Sequence, residues 1–285
     1  MDNNQTLKFK KNESFYIRDG WFEKAINTID GNKEINVFAK NNGTSMLGIG
    51  SNMVKGLRYW LQASKLISST AIKTSLIEFG NLVLRWDRYF ENDFTWFLVH
   101  YFLCTNYVEC PVFYGVFSSD LKSFKKQDLI TYLHNLYLSD GFDIKNEYID
   151  DDLGVFLKSY LNEEAIQNPE DNYVCPLSNL KLLKKRADKI ERTRPVFSTL
   201  SYLIIYYALA ELYKYKPFNI EDSFDEPASP YRIFNLDKNM YLQYLEEMKK
   251  NKLIEINKTA GLNVVYFKKK KKLEDVFEDY FGGKD

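Results

Sequence analysis

The side chains able to do covalent or metal chemistry are few in this 285-residue chain and stand far apart. There are two histidines, His100 and His134, and three cysteines, Cys104, Cys110 and Cys175. No two cysteines have CxxC spacing, the ligand count is too small for a structural zinc site, and the thiols read as reduced and cytosolic. The motifs GxxxxGK[ST], HExxH and GxSxG do not occur, so the sequence offers no phosphate loop, zinc-protease helix or serine nucleophile elbow. Asp150, Asp151 and Asp152 suggest a metal at first sight. Three successive helical residues fan out over about 300°, however, and do not converge on one ion. They read as carboxylates at a helix N-terminus. His100 lies in an apolar run and reads as a hydrogen-bonded core histidine, and Cys175, with no adjacent base, reads as structural. The expectation is a chain that is not an enzyme and uses no cofactor and no metal.

What the sequence does offer is the chemistry of nucleic-acid recognition. From Ile35 to Ile77 no acidic residue occurs, while Lys40, Lys55, Arg58, Lys65 and Lys73 supply five positive charges. Within this block residues 42–67 read NGTSMLGIGSNMVKGLRYWLQASKLI. A short helix around Thr44–Leu47 precedes Gly48-Ile49-Gly50, where glycine permits the positive φ of a sharp helix–helix turn. Ser51 then stands as an N-cap. Met53, Val54, Leu57, Trp60 and Leu61 recur at helical spacing and must pack inward. The opposite face presents Asn52, Lys55, Tyr59 and Gln62, with Ser51 and Arg58 at its border and Lys65 just beyond. These groups bond phosphates and base edges, and no carboxylate repels the backbone. Residues 66–72 read as the chain leaving the helix into a β wing, so the second helix would offer its N-terminal turns to the major groove. The same residues also suit an ordinary amphipathic helix pair facing water, or a winged module that docks protein.

The elements that must position these groups follow from length and periodicity. The chain is long enough for two or three helical modules, and 45% hydrophobic with 16% aromatic residues is too apolar for disorder. The 21 Tyr and 21 Phe read mainly as core and interface filler. Residues 86–105 form a core helix that is apolar nearly all round, as do residues 197–215. Residues 125–138 and 148–161 read as amphipathic helices, residues 168–171 as a turn, and residues 174–183 as a short packed helix. The start, Met1 to Lys11, is polar and reads as no signal peptide. The 15 uncharged residues Val196 to Ala210 fall short of the roughly 20 that a membrane span needs, so no membrane partner is expected.

Near the C-terminus a helix at Lys238–Asn251, with Met240, Tyr241, Leu242, Leu245 and Met248 inward, precedes a hairpin over 253–267, with Gly261 at its turn. Helix then hairpin again resembles half a winged helix. Lys249, Lys250, Lys252, Lys258, Lys268, Lys269, Lys270, Lys271 and Lys272 would decorate it as a secondary basic surface, nine Lys against Glu255 alone. A docking hairpin with a solubilising tail fits equally. Residues 140–171 reverse the sign, with ten acids against Lys145 and Lys158, and residues 184–194 are basic again. Any one such block is more often a solvated face than a site. The expected fold is mainly α with small β wings: a winged helix-turn-helix at 1–90, a central helical bundle at 91–218 and a winged-helix-like module with a basic tail at 219–285.

Several stretches resemble the bacterial family called domain of unknown function 4007. They are residues 15–25 (FYIRDGWFEKA), 47–55 (LGIGSNMVK), 57–61 (LRYWL), 175–177 (CPL), 229–232 (SPYR) and 259–262 (TAGL). The resemblance runs through most of the chain in order, although the lysine run at 268–272 departs from it. It implies genomic company with DNA phosphorothioation and other phage-defence clusters, a fold-plus-context analogy. Taken with the motif, it implies a non-enzymatic, cytoplasmic DNA-binding accessory protein, either a regulator or a DNA-sensing subunit. The expected partners are double-stranded DNA, other subunits of a defence complex and a second copy as a homodimer. The competing expectation is a protein–protein adaptor of a modification or restriction complex.

Overall fold

The structure, a computed structural model, describes residues 6–40, 42–161, 174–259 and 262–283. The expected turn at 168–171 and Gly261 lie outside these residues. The described residues are mainly helical, with three small antiparallel sheets. Helix α1 (Trp21–Gly31) buries Trp21, Phe22, Ala25, Ile26 and Ile29, one stripe at helical spacing. Then come α2 (Gly43–Leu47), α3 (Ser51–Ala63), the hairpin β1 (Ile67–Ser69) and β2 (Thr74–Leu76), and α4 (Glu78–Trp86). Helix α5 (Asp93–Cys104) buries every residue after Asp93 and forms the centre of the molecule, its start capped by the Asn92 side chain.

Helices α6 (Pro111–Ser118), α7 (Lys126–Ser139) and α8 (Asn146–Tyr160) pack on one another beside it. Strand β3 (Ser123–Phe124) pairs with β5 (Lys189–Arg192), which pairs with β4 (Leu183–Arg186). The basic stretch 184–194 is thus largely a hairpin, and the helix expected over 174–183 is only a 3-10 turn at Pro176–Leu180. Pro176 starts that turn, and Lys181 in the left-handed region ends it. The helix expected over 197–215 is α9 (Tyr202–Tyr213), which starts later because Ser201 caps it.

Strand β6 (Phe218–Asn219) pairs with β8 (Leu262–Phe267), which pairs with β7 (Ile254–Thr259). The short α10 (Pro230–Ile233) and then α11 (Lys238–Lys250) precede that hairpin, and α12 (Leu273–Phe281) follows it. On α11 the inward groups are Tyr241, Tyr244, Leu245 and Met248. Leu242, expected inside, is 42% exposed, one helical position off the stripe that Tyr244 completes.

Side-chain packing crosses residues 90 and 218. Tyr280 of α12 stacks on Phe94 of α5 at 4.0 Å, Phe281 stacks on Trp86 of α4, and Phe277 meets Phe79 edge-on. All three cysteines are buried and free, and burial pushes the Cys175 thiol up to about 12. Among the described residues no helix is long and apolar enough to cross a membrane.

Candidate nucleic-acid interface

The α2–α3 pair owes its sharp angle to Gly48, whose φ of 61° ends α2 in the left-handed region. Gly50 does not need that freedom: it is extended and forms the N-cap of α3, with no side-chain cap. Ser51, expected as the cap, is the exposed first residue of the helix. The inward stripe holds Val54, Leu57, Trp60 and Leu61, with Met53 half-buried. Trp60 is fully buried, and its indole N–H donates to the Phe15 carbonyl at 2.9 Å.

The outward residues of α3 open into a groove of about 390 Å³ lined by Lys8, Lys11, Phe38, Val54, Lys55, Arg58, Tyr59, Gln62 and Glu109. Lys55 is exposed and donates to Asn52 Oδ1 at 3.1 Å. Arg58 is half-buried, and its Nε is buried with no hydrogen-bond partner among the described residues. Such a donor is costly unless something outside the chain satisfies it. Tyr59 is differently placed from the expectation. Its hydroxyl donates to the Glu109 carbonyl at 2.6 Å and lies 3.3 Å from Cys110 Sγ, and burial raises its pKa well above the ordinary tyrosine value. It braces the groove wall. Lys65 does not line the groove; beyond the end of α3 it lies over the Phe102 ring at 5.1 Å.

The structure adds Lys8, Lys11 and Glu109, which no local motif marked. Residues 8–12 reach α3 because Gly56 has no side chain: a Cβ there would stand 2.8 Å from the Asn12 carbonyl oxygen. Helix α8 holds the segment from its other side. Asp152 accepts from the Lys10 backbone N–H at 2.9 Å and from Asn12 Nδ2 at 2.8 Å, and Lys10 Nζ pairs with Asp151 at 2.7 Å. Asp150 turns away to Lys126. The three aspartates therefore fan out as expected, but in the second turn of α8, since that helix begins at Asn146. Burial outweighs both donated hydrogen bonds and pushes Asp152 up to about 6. Glu109 is the one carboxylate lining the groove among the described residues, and it pairs with Lys8 at 2.5 Å.

Among the described residues, no C-terminal lysine side chain lines this groove. Lys268 pairs with Glu255 at 2.9 Å, Lys271 with Asp279 at 2.8 Å and Lys249 with Glu246 at 3.5 Å. Lys250, Lys252, Lys269, Lys270 and Lys272 are exposed, and the side chain of Lys258 lies outside the described residues. The main chain of the lysine run is also structural, since Tyr206 donates to the Lys269 carbonyl and Tyr215 to the Lys271 carbonyl.

A second cavity, of about 600 Å³, carries Arg192 and Arg232 among roughly balanced charges. Both guanidiniums serve the end of α6: Arg192 donates to the Phe117 and Ser119 carbonyls and Arg232 to the Ser118 carbonyl, at 2.7–3.0 Å. They satisfy the orphan carbonyls of a helix C-terminus and complement its dipole. His100 is likewise a core group: Nδ1 contacts the Tyr160 hydroxyl at 2.6 Å, Nε2 contacts the Ile233 carbonyl at 3.0 Å, and burial lowers its pKa to about 3.

The fold has relatives of known structure. The chain is similar to SspB in a crystal structure with bound magnesium ion, with a TM-score of 0.81 and 22% identity over 96% of this chain and 88% of that one. It is similar to a second SspB crystal structure at a TM-score of 0.80 and 23% identity, with the same coverage. No curated protein matches the chain. The family model described as "Protein of unknown function (DUF4007)" matches residues 9–281, nearly all of the sequence, and the chain belongs to that family.

Proposed function

We propose that this chain is a DNA-binding accessory component of a phosphorothioation or phage-defence system, gripping the duplex backbone in the groove of α3. The observation that carries the reading is the convergence of Lys8, Lys11, Lys55 and Arg58 on one groove against a single carboxylate, with a buried Arg58 Nε left without a partner. Arginine's planar fork suits a phosphate or a guanine edge. The defence setting takes its support from the family membership and from the likeness to SspB. The test is a mobility shift of the full chain on duplex DNA from upstream of its own gene and on random duplex. Replacing Lys55 and Arg58 with Ala should lower affinity at least tenfold while the fold melts as before, each contact contributing about 1–3 kcal/mol. Equal affinity in the folded double variant would end this reading. Binding that ignores salt would favour the adaptor role, because apolar docking releases no counterions.

The magnesium ion bound in the SspB structure makes metal-dependent chemistry a second reading to set beside it. Among the described residues no group of three or more His, Cys, Asp or Glu converges that could hold such an ion. Around the larger cavity Asp120 and Asp225 pair with Arg232, and Asp237 caps α11. Supercoiled plasmid incubated with the chain and Mg²⁺ separates the readings: nicking abolished by one point substitution would assign chemistry to the chain.

A further inference from the structure

The sequence block without acids continues past α3 into the hairpin, and the hairpin tip holds an unusual side chain. Ile72 is 81% exposed, the most exposed large apolar residue described, ahead of Val196 at 62%. A single exposed apolar residue is ordinarily unremarked. Here the backbone around it is held firmly. Strand pairing ends at Ser69 opposite Thr74, and across the four-residue tip the Thr70 N–H donates to the Lys73 carbonyl at 2.9 Å. The Thr70 hydroxyl accepts from the N–H groups of Ile72 and Lys73 at 3.3 and 3.0 Å. Ile72 is thus presented outward on a stapled turn.

The tip is also tied to the α3 groove by one side chain. Asn36, 6% exposed, donates from Nδ2 to the Thr70 and Ala71 carbonyls at 2.8 and 3.4 Å. Its Oδ1 accepts from the Thr74 hydroxyl at 3.0 Å and from the Phe38 N–H at 2.9 Å. Phe38 lines the groove. A buried amide with four partners fixes the hairpin tip relative to the groove wall.

We propose that the hairpin tip is a second DNA contact, in which Ile72 inserts into the minor groove of the duplex whose backbone the α3 groove grips. This rests on the DNA-binding reading and names a further residue within it. The surroundings favour a nucleic-acid occupant: Lys73 flanks the tip, held only by an exposed pairing with Glu34 at 3.7 Å that a phosphate can displace, the exposed Ser68 offers a hydroxyl, and the sequence has no acidic residue between Ile35 and Ile77. One isoleucine among hydroxyls is too little apolar surface for a protein interface. It suits the apolar wedge with which minor-groove proteins part a base step.

The test measures duplex binding by the full chain as wild type, Ile72→Ala and Ile72→Leu, at several salt concentrations, with and without a minor-groove-filling polyamide. The Ala variant should bind about tenfold more weakly with an unchanged salt slope, because an apolar contact releases no counterions. The Leu variant should restore binding, the polyamide should weaken wild type more than Ile72→Ala, and melting temperatures should agree. Unchanged affinity and polyamide sensitivity in Ile72→Ala, with normal wild-type binding, would overturn the wedge and leave the groove reading standing. A changed salt slope would also overturn it, as the contact would then be electrostatic. Wild type that fails to bind duplex at all would overturn both readings.

Discussion

The charges of the groove fix a number that solution measurements can check. Four cations line it, and the Glu109 carboxylate at 2.5 Å already neutralises Lys8. Three remain for phosphates: Lys11, Lys55 and Arg58. Counterion release gives a slope of log affinity against log salt of about −0.9 per phosphate, so roughly −2.7 for this groove alone. Raising salt fourfold should therefore weaken binding by about 40-fold. Replacing Lys55 and Arg58 with Ala leaves Lys11, and the slope should fall to about −0.9. The opposite perturbation is more discriminating. Glu109→Gln frees Lys8 and should steepen the slope to about −3.6 while raising affinity at low salt. The fold should tolerate it, because Tyr59 bonds the main-chain carbonyl of Glu109 and not its carboxylate. Fluorescence anisotropy with a labelled duplex, titrated from about 50 to about 200 mM salt, reads all three slopes. Indistinguishable slopes in wild type, the Ala pair and Glu109→Gln would refute phosphate contact in this groove.

Further outcomes follow from burial and pairing. Trp60→Ala should destabilise the chain by about 3–5 kcal/mol in chemical denaturation, through a cavity beside Phe113 and an unpaired Phe15 carbonyl; a loss below 1 kcal/mol would contradict its burial. Asp152, pushed up to about 6, holds its proton more tightly folded than unfolded, so stability should fall as pH rises from about 4 through 6, by up to about 3 kcal/mol. Denaturation at pH 4 and 7 should show that slope in wild type and not in Asp152→Asn; equal slopes would mean the aspartate ionises freely. Lys268 and Lys271 are paired with acids, so replacing Lys269, Lys270 and Lys272 with Gln should flatten the salt slope by at most about 2.7 units. An unchanged slope with intact duplex binding would take that surface out of the DNA contact.

How much of this was legible in the sequence depends on how local each cause is. The α2–turn–α3 unit and the hairpin after it were readable because Gly48, the apolar stripe from Val54 to Leu61 and the strand residues at 67–76 each act within a few positions. The buried helix α5 was readable because it is apolar on every side. The hairpin over residues 183–192 was hidden, because its alternating pattern is drowned by lysines on the solvent face while only Leu183 and Ile190 point inward. Helix α12 was hidden for a related reason: the acids after the lysine run drew attention to charge, whereas Leu273, Val276 and Phe277 form a stripe that matters only once α4 and α5 are beside it. The groove itself is the least local feature. Lys8 and Lys11 reach α3 across more than 40 positions of chain because Gly56 admits the Asn12 carbonyl and Asp152, from α8, holds it there. Glu109 arrives from the loop before α6 and pairs with Lys8, while Glu34, just ahead of the acid-free block, pairs with Lys73. Counting charges along the chain marks α3 as basic, but the net charge of its groove is set by neighbours that only folding brings there. Tyr59, which lies on the outward side of α3 by periodicity, gives its hydroxyl to the Glu109 carbonyl, while in the same groove the buried Arg58 Nε has no partner among the described residues.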